Sequence, residues 1–523
     1  MSSPQLTSVI PYIHILLTRD FYVVLPAVLI CYILYQHLFH PLARIPGPFL
    51  ASLTNWWYVR ATRTETWHRI VVSLHEKYGP IVRIAPNQVS VGAPKAVRQI
   101  YPVSSTAFPK SDWYSVFRGT RRVDLFAGQD QWAHGRHRKM VVRAYAMDTL
   151  KDLEPYVDYC LELLVEQLDG RVGQKVDMAK RVHLFSFDVI GEITWSANFG
   201  FLTAGVDDGT FETIRTMGRS GSWLGHVPYV FRMHELLKPY IGNWLGINNR
   251  HGAIRDFAMR ETARRFENPG GKKDLINRFF DAHEKNPEEF TYTDVISMGA
   301  TQVSAGSDTT AVSIRAIIYY VLRNPSVKAK LVAEIDEARR KGELSNPIKH
   351  EEAAKLKYLQ AVVSESLRVH PAMAVNLPRV VPSGGANIEG HYLPGGTVVG
   401  MSAWVVHKDK EVYGEDAHAF RPERWLERDT TDMSTTFLSC FPNVPNANSA
   451  QIDRCLLTFG AGSRACLGRN MAAQQMSKVI PTLFLNYDME LADPEKGWRI
   501  ECLLFVAQYD MDVAIERRQD YPS

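Results

Sequence analysis

One helical pattern, unbroken across residues 293–323, sets the dimensions of this chain. It is entered by Thr291-Tyr292-Thr293-Asp294, a signal of the capping-box kind, and closed by Pro325. At the standard rise such a helix is about 45 Å long, the width of a whole globule, so the rest of the chain has to wrap round it. Further helical periodicities cover residues 154–168, 182–195, 327–341 and 352–369, the last stopped by Pro371. Strand signals are short. Residues 81–85 and 88–92 flank Pro86-Asn87 as a hairpin, and residues 386–392 and 397–404 flank Leu393-Pro394-Gly395-Gly396. The expected fold is mainly α with smaller β-sheets (α+β).

With 523 residues, 46% of them hydrophobic and 22% charged, the chain can bury a large core and carries no mark of disorder. Its net charge of +4 is too mild for nucleic-acid binding. The six cysteines, Cys31, Cys160, Cys440, Cys455, Cys466 and Cys502, are scattered and form no disulfide framework, which favours a reducing compartment. Residues 21–39 contain no Asp, Glu, Lys or Arg and are about long enough to span a bilayer. They read as a membrane anchor. A secretory signal is the alternative, but no basic start and no small-residue cleavage site accompanies the run. Arg19 and Asp20 nearly cancel before the run, while Arg44, Arg60 and Arg63 follow it, which favours a cytosolic body. Ile45-Pro46-Gly47-Pro48 supplies a stiff extended segment. The expected organisation is a tail (1–20), an anchor (21–39), a Pro-rich linker (40–50) and a single catalytic domain (51–523).

The chemistry is concentrated in Phe459-Gly460-Ala461-Gly462-Ser463-Arg464-Ala465-Cys466-Leu467-Gly468. Gly462 and Gly468 give the backbone freedom for a tight loop against a flat macrocycle, Arg464 offers a planar cation to a carboxylate, and Phe459 shields the sulfur. Residues 467–486 read as a helix, so Cys466 precedes a helix N-terminus, where a thiolate is favoured. Together these residues fit a thiolate ligand to haem iron; the alternative is a Gly-rich turn with a buried free cysteine.

Phe-x-x-Gly-x-Arg-x-Cys-x-Gly resembles the haem-binding signature of the cytochrome P450 family, and four more motifs stand in family order between Trp132 and Gly468. The resemblance implies the cytochrome P450 fold with haem b (iron protoporphyrin IX) and Cys466 as the metal ligand. Ala305-Gly306-Ser307-Asp308-Thr309-Thr310 is similar to the oxygen-activation motif: Gly306 leaves room for dioxygen, while Asp308 and Thr309, the catalytic pair, bring protons. Glu365-Ser366-Leu367-Arg368, with Arg424 in Phe420-Arg421-Pro422-Glu423-Arg424-Trp425, resembles a structural ion cluster that locks the cysteine loop. Trp132 and Arg136, one turn apart, join Arg379 and Arg464 as donors to the haem propionates. Substrate contacts are implied for Trp113, Tyr114 and Phe117 and for residues 298–303, 372–377 and 503–506.

No dinucleotide-binding glycine fingerprint follows any strand pattern, so electrons come from outside the chain. The implied donor is NADPH–cytochrome P450 reductase, with cytochrome b5 as a further candidate. Arg138 lies about 200° round the helix from Arg136 and is expected to face solvent with Lys139 and Arg143 as a basic docking patch. The layout resembles microsomal fungal members, the pisatin demethylase-like group among them, which implies a single-pass endoplasmic reticulum protein acting on an apolar secondary metabolite or a plant-derived or aromatic compound. Residues 428–452 read as an insertion. The rival functions are an oxygen-independent haem-thiolate isomerase or dehydratase, which Asp308-Thr309 speaks against, and a non-catalytic haem-binding protein.

Overall fold

The computed structural model describes residues 21–103, 108–118, 123–245, 252–427 and 456–518, and the expected insertion at 428–452 lies outside them. Helix α1 (Phe21–Leu34) runs into a π-helical turn, Tyr35–Phe39. It is the one helix among the described residues long and apolar enough to cross a membrane, and Tyr22, Leu29 and Leu38 are exposed along it. Its end is latched to the globule. Arg83, in strand β1 (Ile81–Ala85), donates from Nη1 to the Gln36 carbonyl at 3.0 Å and from Nη2 to Gln36 Oε1 at 2.6 Å. The segment that follows is not a free spacer, because Leu42 and Ile45 sit in a buried cluster with Ile81, Val89 and Val91. Pro46 accepts from the Arg83 N–H at 2.7 Å, and a Cβ on Gly47 would lie 2.2 Å from the Arg83 carbonyl oxygen. Only glycine permits that approach.

The hairpin of β1 with β2 (Gln88–Val91) forms as expected, antiparallel from Ile81 opposite Val91. It belongs to a four-stranded sheet completed by β3 (Arg379–Val380) and β6 (Val398–Gly400), in the order β1-β2-β6-β3, with β2 and β6 parallel. The turn expected at 393–397 forms between β5 (His391–Leu393) and β6, with the Thr397 N–H donating to the Pro394 carbonyl at 3.2 Å. Residues 386–392 are not one strand: β4 (Ala386–Ile388) and β5 make a hairpin of their own, turning at Glu389-Gly390 with φ of 50° and 76°. Positive φ at both central residues matches the twist of a tight hairpin. β7 (Arg499–Cys502) and β8 (Val506–Tyr509) pair around residues 503–505.

Helices make the body. In chain order the site uses α2 (Gln131–Val141), α3 (Met178–Trp195), α4 (Thr210–Leu224), α5 (Tyr292–Arg323), α6 (Lys357–Val369) and α7 (Arg469–Asn486). The patterns at 154–168 and 327–341 are parts of helices Met147–Asp169 and Pro325–Arg340. The pattern at 352–369 is broken: His350–Ala353 is a separate turn, and the Glu334 carboxylate accepts from the Tyr358 and Leu359 N–H groups at 2.8 and 2.9 Å, starting α6 anew.

α5 is the axis, packed on α3, α6 and α7. Its entry is a capping box, with the Thr291 N–H donating to Asp294 Oδ2 at 2.8 Å. Gly299 and Gly306 set its contact with α3. A Cβ on Gly299 would meet the Trp195 ring at 2.6 Å, and one on Gly306 would meet Ile190 Cδ1 at 2.7 Å. Gly306 therefore serves helix packing here rather than making room on the open side of α5.

Gly47→Ala is expected to cost at least about 2 kcal/mol, because the neighbour it strikes is backbone and cannot rotate away. Chemical denaturation of the full-length protein measures it, and proteolysis should cut first in the loosened 40–50 segment.

Candidate functional site

A fully buried ion cluster holds the lower half of the site together. Glu365 and Arg368, three residues apart on α6, meet through two bonds of 2.8 Å, Nε to Oε2 and Nη2 to Oε1. Arg424 Nε and Trp425 Nε1 each donate to the same carboxylate at 2.9 Å, and the Arg421 N–H adds a bond of 2.8 Å. The Asp416 carboxylate, at the edge of the cluster, accepts from Arg424 Nη1 at 3.1 Å and balances the second guanidinium. Carbonyls take the remaining donors: Arg368 donates to those of His407, Ala417 and Ala419, and Arg424 to those of Tyr413 and Asp416.

His407 carries this frame to the cysteine loop, a link that sequence reasoning missed. Its Nδ1 lies 3.0 Å from the Arg368 carbonyl and its Nε2 accepts from the Leu457 N–H at 2.8 Å, which fixes the Nδ1–H tautomer. Thr458 Oγ1 adds a bond to the Leu367 carbonyl at 3.1 Å. The chain then turns through Gly460 and Gly462, with φ of 67° and 65°. Gly462 is doubly required, since a Cβ there would lie 2.2 Å from the Tyr101 carbonyl oxygen. Gly468, at φ −80° with open space around it, carries no such demand. The Cys466 N–H donates to the Phe459 carbonyl at 2.8 Å, closing the loop, and α7 begins at Arg469. Cys466 is accessible, yet burial pushes its thiol up from the usual 9.0, while the Gly468 N–H and the cations of Arg138 and Arg469 pull the other way. It lines an interior cleft rather than the outer surface. A coordinated metal would deprotonate it outright.

Positive charge crowds the same cleft. Arg464 donates to the Gly128 carbonyl at 2.9 Å, and Arg379 to the Tyr114 hydroxyl at 3.0 Å. Lys110, also missed from the sequence, is buried, donates to the Phe126 carbonyl and lies over the Tyr114 ring at 4.4 Å. Trp132 and Arg136 do not join this group. Trp132 is 77% exposed and Arg136 faces solvent. The inward face of α2 carries His134, buried, and Arg138, whose Nη1 donates to the Ala465 carbonyl at 2.8 Å; the expectation of a solvent-facing Arg138 is overturned. The phase of α2 is set at its start, where Asp130 caps the Ala133 N–H at 2.9 Å and Arg464 reaches back to Gly128. His134 and Arg138 share the four-residue spacing of Trp132 and Arg136, so spacing alone could not choose between the pairs.

Among the described residues, none of Lys110, Arg138, Arg379 and Arg464 has an acidic side chain in ion-pair contact. Burial and then Arg379 hold the Arg464 pKa down to about 10, and burial with Arg379 and Arg464 hold Lys110 well below its usual range. Such repulsion is relieved by an anionic group lying among them. A cofactor with paired carboxylates and a metal for Cys466 fits this donor set.

On the other side, α5 turns Ala305 outward, and the Thr309 hydroxyl donates to the Ala305 carbonyl at 2.7 Å. The Asp308 carboxylate points to α3, with Oδ1 2.6 Å from Nε2 of His183. Both line a cavity of about 360 Å³ walled by Phe117, Met217, Ile254, Leu503, Leu504 and Phe505. Trp113, Tyr114, Phe117, Val375 and Leu504 form one apolar cluster beside it, which unites three of the segments expected to meet substrate. In the fourth, 298–303, Met298 and Val303 are core residues, and it is Ser304, just beyond the segment, that reaches the cavity.

The profile of the family described as Cytochrome P450 matches residues 46–510. The chain is 37% identical over 482 residues to the cytochrome P450 monooxygenase hepC of Aspergillus oryzae, an alignment covering 89% of this chain and 91% of the relative. It is 34% identical over 491 residues, 91% and 94% of the two chains, to the cytochrome P450 monooxygenase cicH of Emericella nidulans. With the pisatin demethylase of Fusarium vanettenii it shares 32% identity over 488 residues, 90% of each chain.

His407 gives this frame a pH dependence. Burial pushes its pKa down to about 3 from 6.5, because a proton on Nε2 would face the Leu457 N–H. The unfolded chain binds that proton at a higher pH than the folded one, so the contribution is complete above pH 6.5 and is lost as pH falls toward 3, by up to about 1.4 kcal/mol per unit. His407→Gln keeps an acceptor for Leu457 but cannot titrate. Its thermal midpoint is expected to fall less steeply than the parent's between pH 7 and 4.5, read by calorimetry.

Proposed function

The chain belongs to the cytochrome P450 family and is a haem-thiolate monooxygenase, and from that premise we propose that Cys466 is its axial ligand and that it oxidises an apolar organic compound with electrons from NADPH–cytochrome P450 reductase. The observation that carries this reading is the accessible Cys466 on a glycine-locked loop, beside four cations without acidic partners among the described residues. Haem supplies, when bound, the iron at which dioxygen is reduced and split, one atom entering substrate and the other leaving as water, and a thiolate ligand favours that cleavage.

The protein's part is to hold, orient and protonate. Lys110, His134, Arg138, Arg379 and Arg464 would hold the propionates, with Tyr114 steadying Arg379. Phe459 and Gly462 shape the loop around the sulfur, and Glu365, Arg368 and Arg424 hold the frame to which the loop is tied. Asp308 and Thr309 would deliver the two protons that oxygen reduction consumes. For that, the Thr309 hydroxyl must turn from the Ala305 carbonyl. The apolar part of the cavity wall selects an apolar substrate. A secondary metabolite or an aromatic or plant-derived compound is the substrate class put forward, in keeping with a pisatin demethylase among the fungal relatives. The apolar helix before the globule supports a single-pass endoplasmic reticulum protein with residues 51–523 as one cytosolic catalytic domain.

The reductase would dock on α2. Its outward stripe is Arg136 and Lys139, continued by Arg143, all exposed and at helical spacing. Cytochrome b5 would use the same face.

Two outcomes check this reading. The reduced, carbon-monoxide-bound protein is expected to show the red-shifted Soret band of a thiolate ligand, and Cys466→Ala to abolish it; survival of the band would reassign the ligand to another cysteine. Arg136→Glu with Lys139→Glu is expected to slow reductase-driven turnover several-fold, more at low ionic strength, and to spare peroxide-driven turnover. Equal loss under both oxidants would instead place the stripe in haem seating.

A further inference from the structure

The Asp308 carboxylate is engaged by a group outside the expected motif. His183, on α3, meets it through Nε2 at 2.6 Å, and the ring is fixed in that direction by stacking on Phe211 at 3.8 Å and by an edge contact with Phe187 at 5.3 Å. His183 and Asp308 both border the cavity, which is also lined by Asp177, Lys180, Glu212, Arg215 and Asp510. Those charged groups favour water in it, beside the apolar wall of Phe117, Leu503 and Leu504. The dyad therefore stands between a hydrated compartment and the helix that faces the reaction.

We propose that His183 is the proton-relay residue that feeds Asp308, taking a proton at Nδ1 from cavity water and passing the one on Nε2 to Asp308 Oδ1. No electron moves in this step. The N–H bond at Nε2 breaks as an O–H bond forms on Asp308, and the hydroxide left in the cavity is reprotonated from bulk water. Once Asp308 has handed its proton on, exchange with water restores the Nε2–H form. His183 acts through Asp308 and is a positioning residue in that sense, touching neither substrate nor haem.

The charges around the ring suit this use. Arg315, anchored on the Ala179 carbonyl at 2.8 Å, approaches from α5, and Asp207 approaches from the segment before α4. Burial first and Arg315 second hold the imidazole below its ordinary 6.5, and Asp308 and Asp207 pull it back up. The ring is thus neutral near neutrality, with a free lone pair on Nδ1, the state that can accept a proton. Lysine or arginine at this position could anchor the carboxylate but could not relay.

The inference rests on the monooxygenase reading, and its test keeps the two apart. Full-length protein is reconstituted with a flavoprotein reductase in phosphatidylcholine vesicles, and NADPH-driven dioxygen reduction is followed without added substrate in H2O and D2O. His183→Gln, which can still donate to Asp308 but cannot relay, is expected to lower the rate by about tenfold or more and to raise the solvent isotope effect, with the reduced carbonyl band unchanged. Parental rate and isotope effect in His183→Gln would overturn the relay. A missing carbonyl band in the parent would instead overturn the family-based reading. Should His183→Gln fail to hold haem, nitrogen NMR of 15N-histidine-labelled protein decides: one signal must report an Nε2–H ring and move in Asp308→Asn, and its absence refutes the proposal.

Discussion

The buried carboxylate of Glu365 is the interaction on which the site depends. Burying one carboxylate and two guanidiniums carries a desolvation cost of several kcal/mol per ion, which direct attraction offsets only when every remaining donor is satisfied. Here they are satisfied by the Asp416 carboxylate and by carbonyls from residues 407, 413, 416, 417 and 419. The cluster is thus a device for forcing three distant stretches, α6, the 407–419 segment and the Arg424 turn, into one arrangement. Removing one partner would leave an unpaired buried charge, which costs about 3–5 kcal/mol. Because His407 bonds Leu457 and Thr458 bonds the Leu367 carbonyl, the order so imposed reaches the strand of chain that enters the cysteine loop.

The second constraint is the close contact of α3 and α5. Gly299 and Gly306 remove side chains along one face, so Trp195 and Ile190 pack directly on the α5 backbone. That contact brings His183 within hydrogen-bond reach of Asp308, and it leaves Ala305 and Thr309 on the remaining, open face. One helix therefore separates a packed side that sets position from a cleft side where chemistry can occur. Thr309, spending its hydroxyl on the Ala305 carbonyl, is at rest in this arrangement.

Features governed by local chemistry were legible in the sequence. The capping box at Thr291, the β1–β2 hairpin, the Glu365–Arg368 spacing and the glycine at 462 all rest on contacts within a few residues or on steric rules of single positions. Features decided by distant partners were not. Lys110 and His407 owe their burial to chain brought from elsewhere, and nothing beside them in sequence marks it. The phase of α2 was misread because two pairs, offset by two residues, present the same periodicity, and only contacts with distant chain choose between them. The turn at Pro394-Gly395-Gly396 was legible, but the hairpin inside residues 386–392 was not, because only Gly390 hints at it and the positive φ of Glu389 is imposed by the twist of the paired strands.

The crowding of Lys110, Arg138, Arg379 and Arg464 links folding to cofactor uptake. Each of these cations disfavours the charged form of its neighbours, so an anionic group lying among them would be held favourably. A ligand that binds only the folded chain adds stability in proportion to the logarithm of its excess over the dissociation constant. The same cations that would orient the cofactor would thereby couple its binding to the folded cleft. The Glu365 cluster, fully compensated within the protein, holds its shape independently. Two electrostatic designs thus divide the labour: one neutralised internally, which preserves the loop of Cys466, and one left positive, which suits the anionic group that Cys466 is proposed to bind.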